Sequence, residues 1–264
     1  MDSIKEITKR HFDAYSTQWS QRLTLHCYLN RFETVANFVS PSCHSIIDFG
    51  CGTGDYSRLF DNNKYYLGVD NSVGMIEKAR SLYPSRSFEV RDINNCGLED
   101  ESFDIALAIG VFEYLEHPTQ FAQEIVRVVS NNGRIICSFP NRGAKLRCGG
   151  SLFARVINKL KHILGINNEV AGEPSFLPSG YKKDSRIVHR AYDEKSASQI
   201  FDGLEVKVVG CKFANFRVLK YWLGLDCLRG FDQVLSKHIS KSRWNTLFAS
   251  DASVLVIAFD KCSP

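Results

Sequence analysis

At 264 residues, 44% hydrophobic and 23% charged, the chain has the composition of a globular protein that buries a core without disulfide or metal staples. A formal charge of +4 is too small to point to nucleic acid, and no run of about 18 apolar residues offers a membrane span. Nine cysteines, an odd number with no Cys-x-x-Cys pair, argue against a metal site or a disulfide framework and read as reduced, mostly buried thiols. The opening Met1-Asp2-Ser3-Ile4-Lys5-Glu6 is polar and unlike a signal peptide, so a cytoplasmic location is expected.

The first forty residues predict a helical cap. Phe12, Tyr15 and Trp19 recur at helical steps, and Leu29, Phe32, Val35, Ala36 and Val39 continue the pattern up to Pro41-Ser42. An apolar strand, Ser45 to Phe49, then runs into a glycine cluster, and a helix-like stretch follows through Tyr56, Leu59 and Phe60. The unit repeats with a strand at Tyr65–Asp70, a helix at Val73–Leu82, and strands at Phe88–Asp92 and Ile105–Ile109. A helix at Phe121–Val129 and the Asn132-Gly133 turn precede a fifth strand, Arg134–Phe139. Strands alternating with helices at this spacing predict a parallel sheet covered on both faces. Glu205–Val209 and Val254–Phe259 read as two closing strands, with an aromatic and basic stretch, Phe213 to Phe248, between them. The expected architecture is a doubly wound, mostly parallel seven-stranded α/β sheet over 41–141 and 191–264, with a cap at 1–40 and an inserted lobe at 142–190.

That lobe is basic, with ten Lys or Arg against three acids, a net +7. Within it, 151–164 has a helical period, with Leu152, Phe153, Val156, Ile157, Leu160, Ile163 and Leu164 on one face and Arg155, Lys159 and Lys161 around the other. Such a stretch suits a lid over an active site, and it also suits peripheral contact with an anionic membrane. With Tyr221–Leu225, it favours an aromatic, lipid-like or otherwise apolar small-molecule substrate, with an anionic group for the basic residues. No RNA-binding module accompanies the lobe, so a nucleic-acid partner is not expected.

Asp48-Phe49-Gly50-Cys51-Gly52-Thr53-Gly54 carries the chemistry. Glycines let a backbone turn sharply and approach a ligand where a Cβ would collide. Asp48, Asp70 and Asp92 fall at the ends of the first three strands, and open parallel sheets bind ligands at those ends. The two oxygens of Asp70 match the two hydroxyls of a ribose. Asp92 and Ile93 offer an acceptor for an adenine amino group and an apolar wall. A dinucleotide site would need a third glycine where the chain has Asp55, a carboxylate facing a pyrophosphate. The acidic set suits a cationic adenosyl ligand better.

These segments together resemble the Rossmann-like, class I S-adenosylmethionine-dependent methyltransferases, nearest to the small-molecule group. Ile46–Gly54 resembles their first motif, Gly68–Ile76 the second, Arg91-Asp92-Ile93 with Phe103-Asp104 the third, and Asn132–Ile135 the turn before strand five. The resemblance implies that Gly50, Cys51, Gly52 and Gly54 carry the methionine part of the cofactor, with Asp48 as an indirect anchor. It implies that Asp70 and Asn71 hold the ribose, that Met75, Asp92 and Ile93 surround the adenine, and that Ile109 and Val111 lie beneath. Phe12 and Trp19 fall where relatives have an aromatic cap, although their spacing also suits plain core packing. Where the family often has Val-Leu-Glu-His-Leu, this chain has Val111-Phe112-Glu113-Tyr114-Leu115, so a histidine base there is not available.

Methyl transfer uses an already activated electrophile, and a hydroxyl nucleophile additionally needs its proton removed. His189, in Ile187-Val188-His189-Arg190-Ala191-Tyr192, is the histidine singled out for that role, with Glu113 and Tyr192 as further catalytic candidates. His117, ahead of Pro118, reads as a surface residue. A nicotinamide-dependent oxidoreductase and a non-catalytic protein that keeps the cofactor fold are the alternative functions.

Overall fold

The structure, a computed structural model, describes residues 3–19, 26–144, 186–187, 189–216 and 252–263. The 151–164 stretch of the basic insert, Tyr221–Leu225 and the rest of 217–251 lie outside the described residues.

Two helices, α1 (Ile4–Trp19) and α2 (His26–Ala36), precede the sheet. The first half of the sheet is β1 (Ser45–Phe49), β2 (Tyr65–Asp70) and β3 (Ser87–Val90), with α3 (Val73–Leu82) between the last two. Next come β4 (Phe103–Ile109), α4 (Pro118–Val128) and β5 (Val129–Pro140), then a short α5 (Glu194–Ser198), β6 (Val206–Phe216) and β7 (Ala252–Lys261). The order is β3-β2-β1-β4-β5-β7-β6, with β1 to β5 parallel and β7 antiparallel to both its neighbours. This is the doubly wound seven-stranded α/β sheet that the alternation of elements predicts.

Each central strand is apolar on both faces because both are covered. Ile47 and Phe49 point into a cluster with Phe112, Phe121, Phe139 and Phe201, while Ile46 packs oppositely with Val35, Ile76 and Ala79. Ser72 starts α3 by accepting the Met75 N–H at 3.1 Å, and Met75, Ile76 and Ala79 are its buried stripe. Pro118 begins α4, whose Phe121 is fully buried; truncating such a ring to alanine costs about 3–5 kcal/mol. In the antiparallel half, Arg134 grips Asp260 through two N–H···O bonds of 2.6 and 2.9 Å across β5 and β7.

β6 runs to Phe216, past the Glu205–Val209 read in the sequence and into the stretch read as joining the closing strands. The helix-like stretch after the glycine cluster is a short 3-10 helix, Asp55–Leu59. Arg86 explains its early end: the guanidinium donates to the carbonyls of Ser57, Phe60, Asp61 and Lys64, giving partners to backbone that would otherwise continue the helix. The Asn132-Gly133 turn lies inside β5 instead of ahead of it. Asn132 takes a left-handed φ of 63°, and the β4–β5 register shifts there. No helix among the described residues is long and apolar enough to cross a membrane.

Candidate active site

The chain moves from β3 back across the sheet to β4, so the carboxyl ends of β1 and β4 diverge and leave a crevice. Gly50 begins the loop at the end of β1. Its φ is +65°, and a Cβ there would come within 2.6 Å of a Val111 methyl, so only glycine lets the first loop meet the segment after β4. That segment is held in turn by the Gly110 N–H, which donates to the Ser138 hydroxyl at 2.9 Å.

Asp70 closes the loop from the side. Its two oxygens accept the N–H groups of Gly52 and Ser72, at 3.0 and 2.9 Å. One bond per oxygen leaves each a further lone pair. Burial pushes this carboxyl up, while the Ser72 and Gly52 amides pull it down. Asp48 is 1% exposed and accepts the Tyr66 hydroxyl at 2.6 Å. Burial pushes its carboxyl to about 7, Tyr66 opposes the shift, and Asp70 and Asp55 add to it. Asp55 accepts the hydroxyls of Thr53 and Tyr83 at 3.0 and 3.1 Å.

A cavity of about 250 Å³ opens between these loops and the first two helices. Asp48, Gly50, Cys51 and Gly52 line it from the first motif, Asp70, Asn71 and Met75 from the second. Asp92 and Ile93 line it beyond β3, and Ile109 and Val111 beneath. Trp19 and Phe12 form part of the wall, in edge-to-face contact with each other at 5.2 Å, and Phe12 meets Tyr114 in the same way at 5.3 Å. Gly54 does not line the cavity. A Cβ there would meet the Phe88 ring at 2.6 Å, so this glycine serves the packing of β3 beneath the loop.

The catalytic candidates separate. Glu113, 7% exposed, lines the cavity. His189 and Tyr192 stand beside it. The exposed His189 meets the Tyr114 ring edge-on at 5.5 Å, and the buried Tyr192 donates to the Phe112 carbonyl at 3.2 Å. Between them, Arg190 donates its backbone N–H to the Glu113 carbonyl at 3.0 Å and its guanidinium to the carbonyls of Leu115 and Glu116. Residues 189–192 therefore clamp the short segment that carries Glu113.

Several lining residues lie outside the motifs: Ile4, Lys5 and Thr8 from α1, Arg31 from α2, Tyr56 from the 3-10 helix and Asn94 from the loop after β3. Lys5 pairs with Asp92, and Asp13 accepts the Ser72 hydroxyl and the Gly74 N–H at 2.5 and 3.0 Å, which docks α1 onto the start of α3. The signal for the half-buried Arg31 is the polarity of its surroundings, since its neighbours Asn30 and Thr34 are buried. His117 is exposed, as its sequence context suggests, yet it lines the cavity edge.

Residues 47–137 match a methyltransferase-domain family. The matched residues thus form a methyltransferase domain with a Rossmann-like fold, and its cofactor is S-adenosylmethionine. It is 25% identical over 112 residues to a trans-aconitate 2-methyltransferase of Variovorax paradoxus, covering 41% of this chain and 43% of that protein. It is 36% identical over 84 residues to the tRNA (carboxymethyluridine(34)-5-O)-methyltransferase of Saccharomyces cerevisiae, covering 32% and 30%. The chain therefore spans less than half the length of these curated relatives. The magnesium protoporphyrin IX methyltransferase of Synechocystis PCC 6803, solved with bound S-adenosylhomocysteine, shares the fold with a TM-score of 0.58 at 13% identity over 98% of this chain and 100% of that one.

Proposed function

We propose that the chain transfers the methyl group of S-adenosylmethionine to a small-molecule acceptor by in-line displacement. The observation that carries this reading is the convergence of the glycine loop, Asp70 and Asp92 on one cavity at the switch point of the sheet. Six carboxylates among the described lining residues favour a cationic ligand over a pyrophosphate. When bound, the cofactor supplies a methyl group activated by its sulfonium.

Asp70, held by two amides, would accept the ribose hydroxyls, with Asn71 beside it. Met75, Ile93 and Asp92 would enclose the adenine, and Ile109 and Val111 would form the floor. Gly50, Cys51 and Gly52 would pass the methionine part along bare backbone, with Asp48 behind them. Trp19, Phe12 and Tyr114 would exclude water and stack an aromatic or apolar acceptor body, which supports a small-molecule substrate. For a hydroxyl acceptor, Glu113 would receive the proton, while Arg190 and Tyr192 keep its backbone in position and His189 braces Tyr114.

Calorimetry with S-adenosylhomocysteine and with NAD tests the reading. Binding of the first and not the second is expected; NAD binding without S-adenosylhomocysteine binding sinks it. A methyl-release assay over phenols, amines and isoprenoid acids then identifies the acceptor, and a nucleic acid as the sole productive acceptor would overturn the small-molecule assignment.

A further inference from the structure

Asn132-Gly133 is the one Asn-Gly pair in the sequence, and the fold accounts for both residues. Asn132 has a φ of 63°, in the left-handed region that asparagine tolerates better than most side chains. Gly133 has no room for a Cβ, which would come within 2.7 Å of a Val129 methyl and 2.9 Å of the Asp104 carbonyl oxygen. Val129 pairs with Phe103 and Arg134 with Ile105, so residues 130–133 bulge out opposite Asp104. The register with β7 starts only at Arg134, which leaves the bulge outside both ladders. Asn132 is exposed, and its Oδ1 accepts the Ser263 hydroxyl at 3.1 Å.

We propose that Asn132 is a site of spontaneous deamidation, a self-modification that the bulge exposes and Ser263 promotes. A following residue without a Cβ leaves its nitrogen open to the asparagine side chain. The Gly133 nitrogen gives its proton to hydroxide and bonds to Asn132 Cγ, closing a succinimide ring. The Cγ–Nδ2 bond breaks, and the amide nitrogen takes a proton from water and leaves as ammonia. Water then opens the ring. Cleavage at Cγ gives aspartate at this position, and cleavage at the backbone carbonyl gives isoaspartate, with the chain rerouted through Cγ. The net change is one water taken up and one ammonia released. Negative charge gathers on Oδ1 during the attack, where the Ser263 hydroxyl already donates. Packing forbids any side chain at 133, so the labile pair can be lost only by changing Asn132. The bulge lies at the amino end of β5 and the cavity at the carboxyl end of β4, so the modification is separate from whatever the cavity binds.

The test ages the full chain and its Ser263→Ala and Asn132→Gly variants in buffer at neutral and at mildly alkaline pH. Peptide mass spectrometry reads the exchange of NH2 for OH at each asparagine, chromatography separates isoaspartate from aspartate, and released ammonia is assayed in parallel. Among the described asparagines, Asn132 is expected to convert first, as a mixture of aspartate and isoaspartate, and faster at the higher pH. Ser263→Ala should slow the conversion by roughly three- to tenfold, the worth of one hydrogen bond to the developing charge. Asn132→Gly cannot form the ring and should release no ammonia here, and because glycine suits the left-handed backbone its thermal midpoint should be no lower than that of the unsubstituted chain. An Asn132 that stays intact in the native chain and converts only after unfolding in urea overturns the proposal, since the fold would then protect the site. Aspartate without isoaspartate also overturns it, because direct hydrolysis of the amide bypasses the ring. An unchanged rate in Ser263→Ala removes the role given to that hydroxyl.

Discussion

At the β2 and β3 end of the cavity, the acids that line it either terminate a strand or follow one within two residues, as Asp70 and Asp92 do. At the β4 end, Arg31, Tyr56 and the pair Gly110 and Glu113 arrive from three separate segments and meet only through packing. Strand register alone positions the first set, because parallel pairing carries the end of each strand to the same edge of the sheet. The second set depends on how α2 lies on the sheet and on the clamp made by residues 189–192. The cofactor end is therefore expected to tolerate changes in the helices, and the β4 end is expected to feel them.

The largest effect comes from the residue that joins the two ends. Gly50→Ala forces a side chain into a left-handed backbone and against Val111. It should abolish S-adenosylhomocysteine binding and cost roughly 2–3 kcal/mol of stability, read by calorimetry and urea unfolding. Glu113→Gln separates the ends: turnover of a hydroxyl acceptor should drop about 100-fold or more with S-adenosylhomocysteine affinity unchanged. Parallel losses in both measurements would remove Glu113 from the acceptor side. Asp70→Ala does the reverse, weakening S-adenosylhomocysteine by about 10–100-fold; unchanged affinity would contradict the ribose role.

A smaller effect is expected from Asp48, whose folded carboxyl stands at about 7 against an ordinary 3.8. The folded chain holds this proton more tightly than the unfolded chain. The associated stability is complete below about pH 4 and is lost as pH rises through about 7. Asp48→Asn should flatten the fall in thermal midpoint between pH 5 and 7 by about 5 °C. An equally steep fall in the variant would assign the pH dependence elsewhere.

The sequence is most legible where local rules decide the outcome. β1, β2 and α3 match the apolar run, the strand before Asp70 and the capped helix after Ser72. The length of the helix after Gly54 is not legible, because Arg86, distant in sequence, ends it through carbonyls. Gly54 looks like Gly50 and Gly52 in the sequence, yet its neighbour is Phe88 from another strand. Arg31 reads as one more polar residue on a cap helix until α2 is laid over the crevice. Arg190, between the two residues singled out at 189 and 192, matters through backbone bonds that no side-chain pattern announces.

Cys51 belongs to the bare-backbone stretch of the glycine loop, is buried, and has its thiol pushed well above the ordinary range by burial and by Asp48. Only a thiolate reacts readily with alkylating or oxidising reagents. Cys262, by contrast, is exposed. Among the described cysteines, chemical labelling would thus reach Cys262, just past β7, before Cys51, making the lag at Cys51 a clock for how often the cavity opens to water.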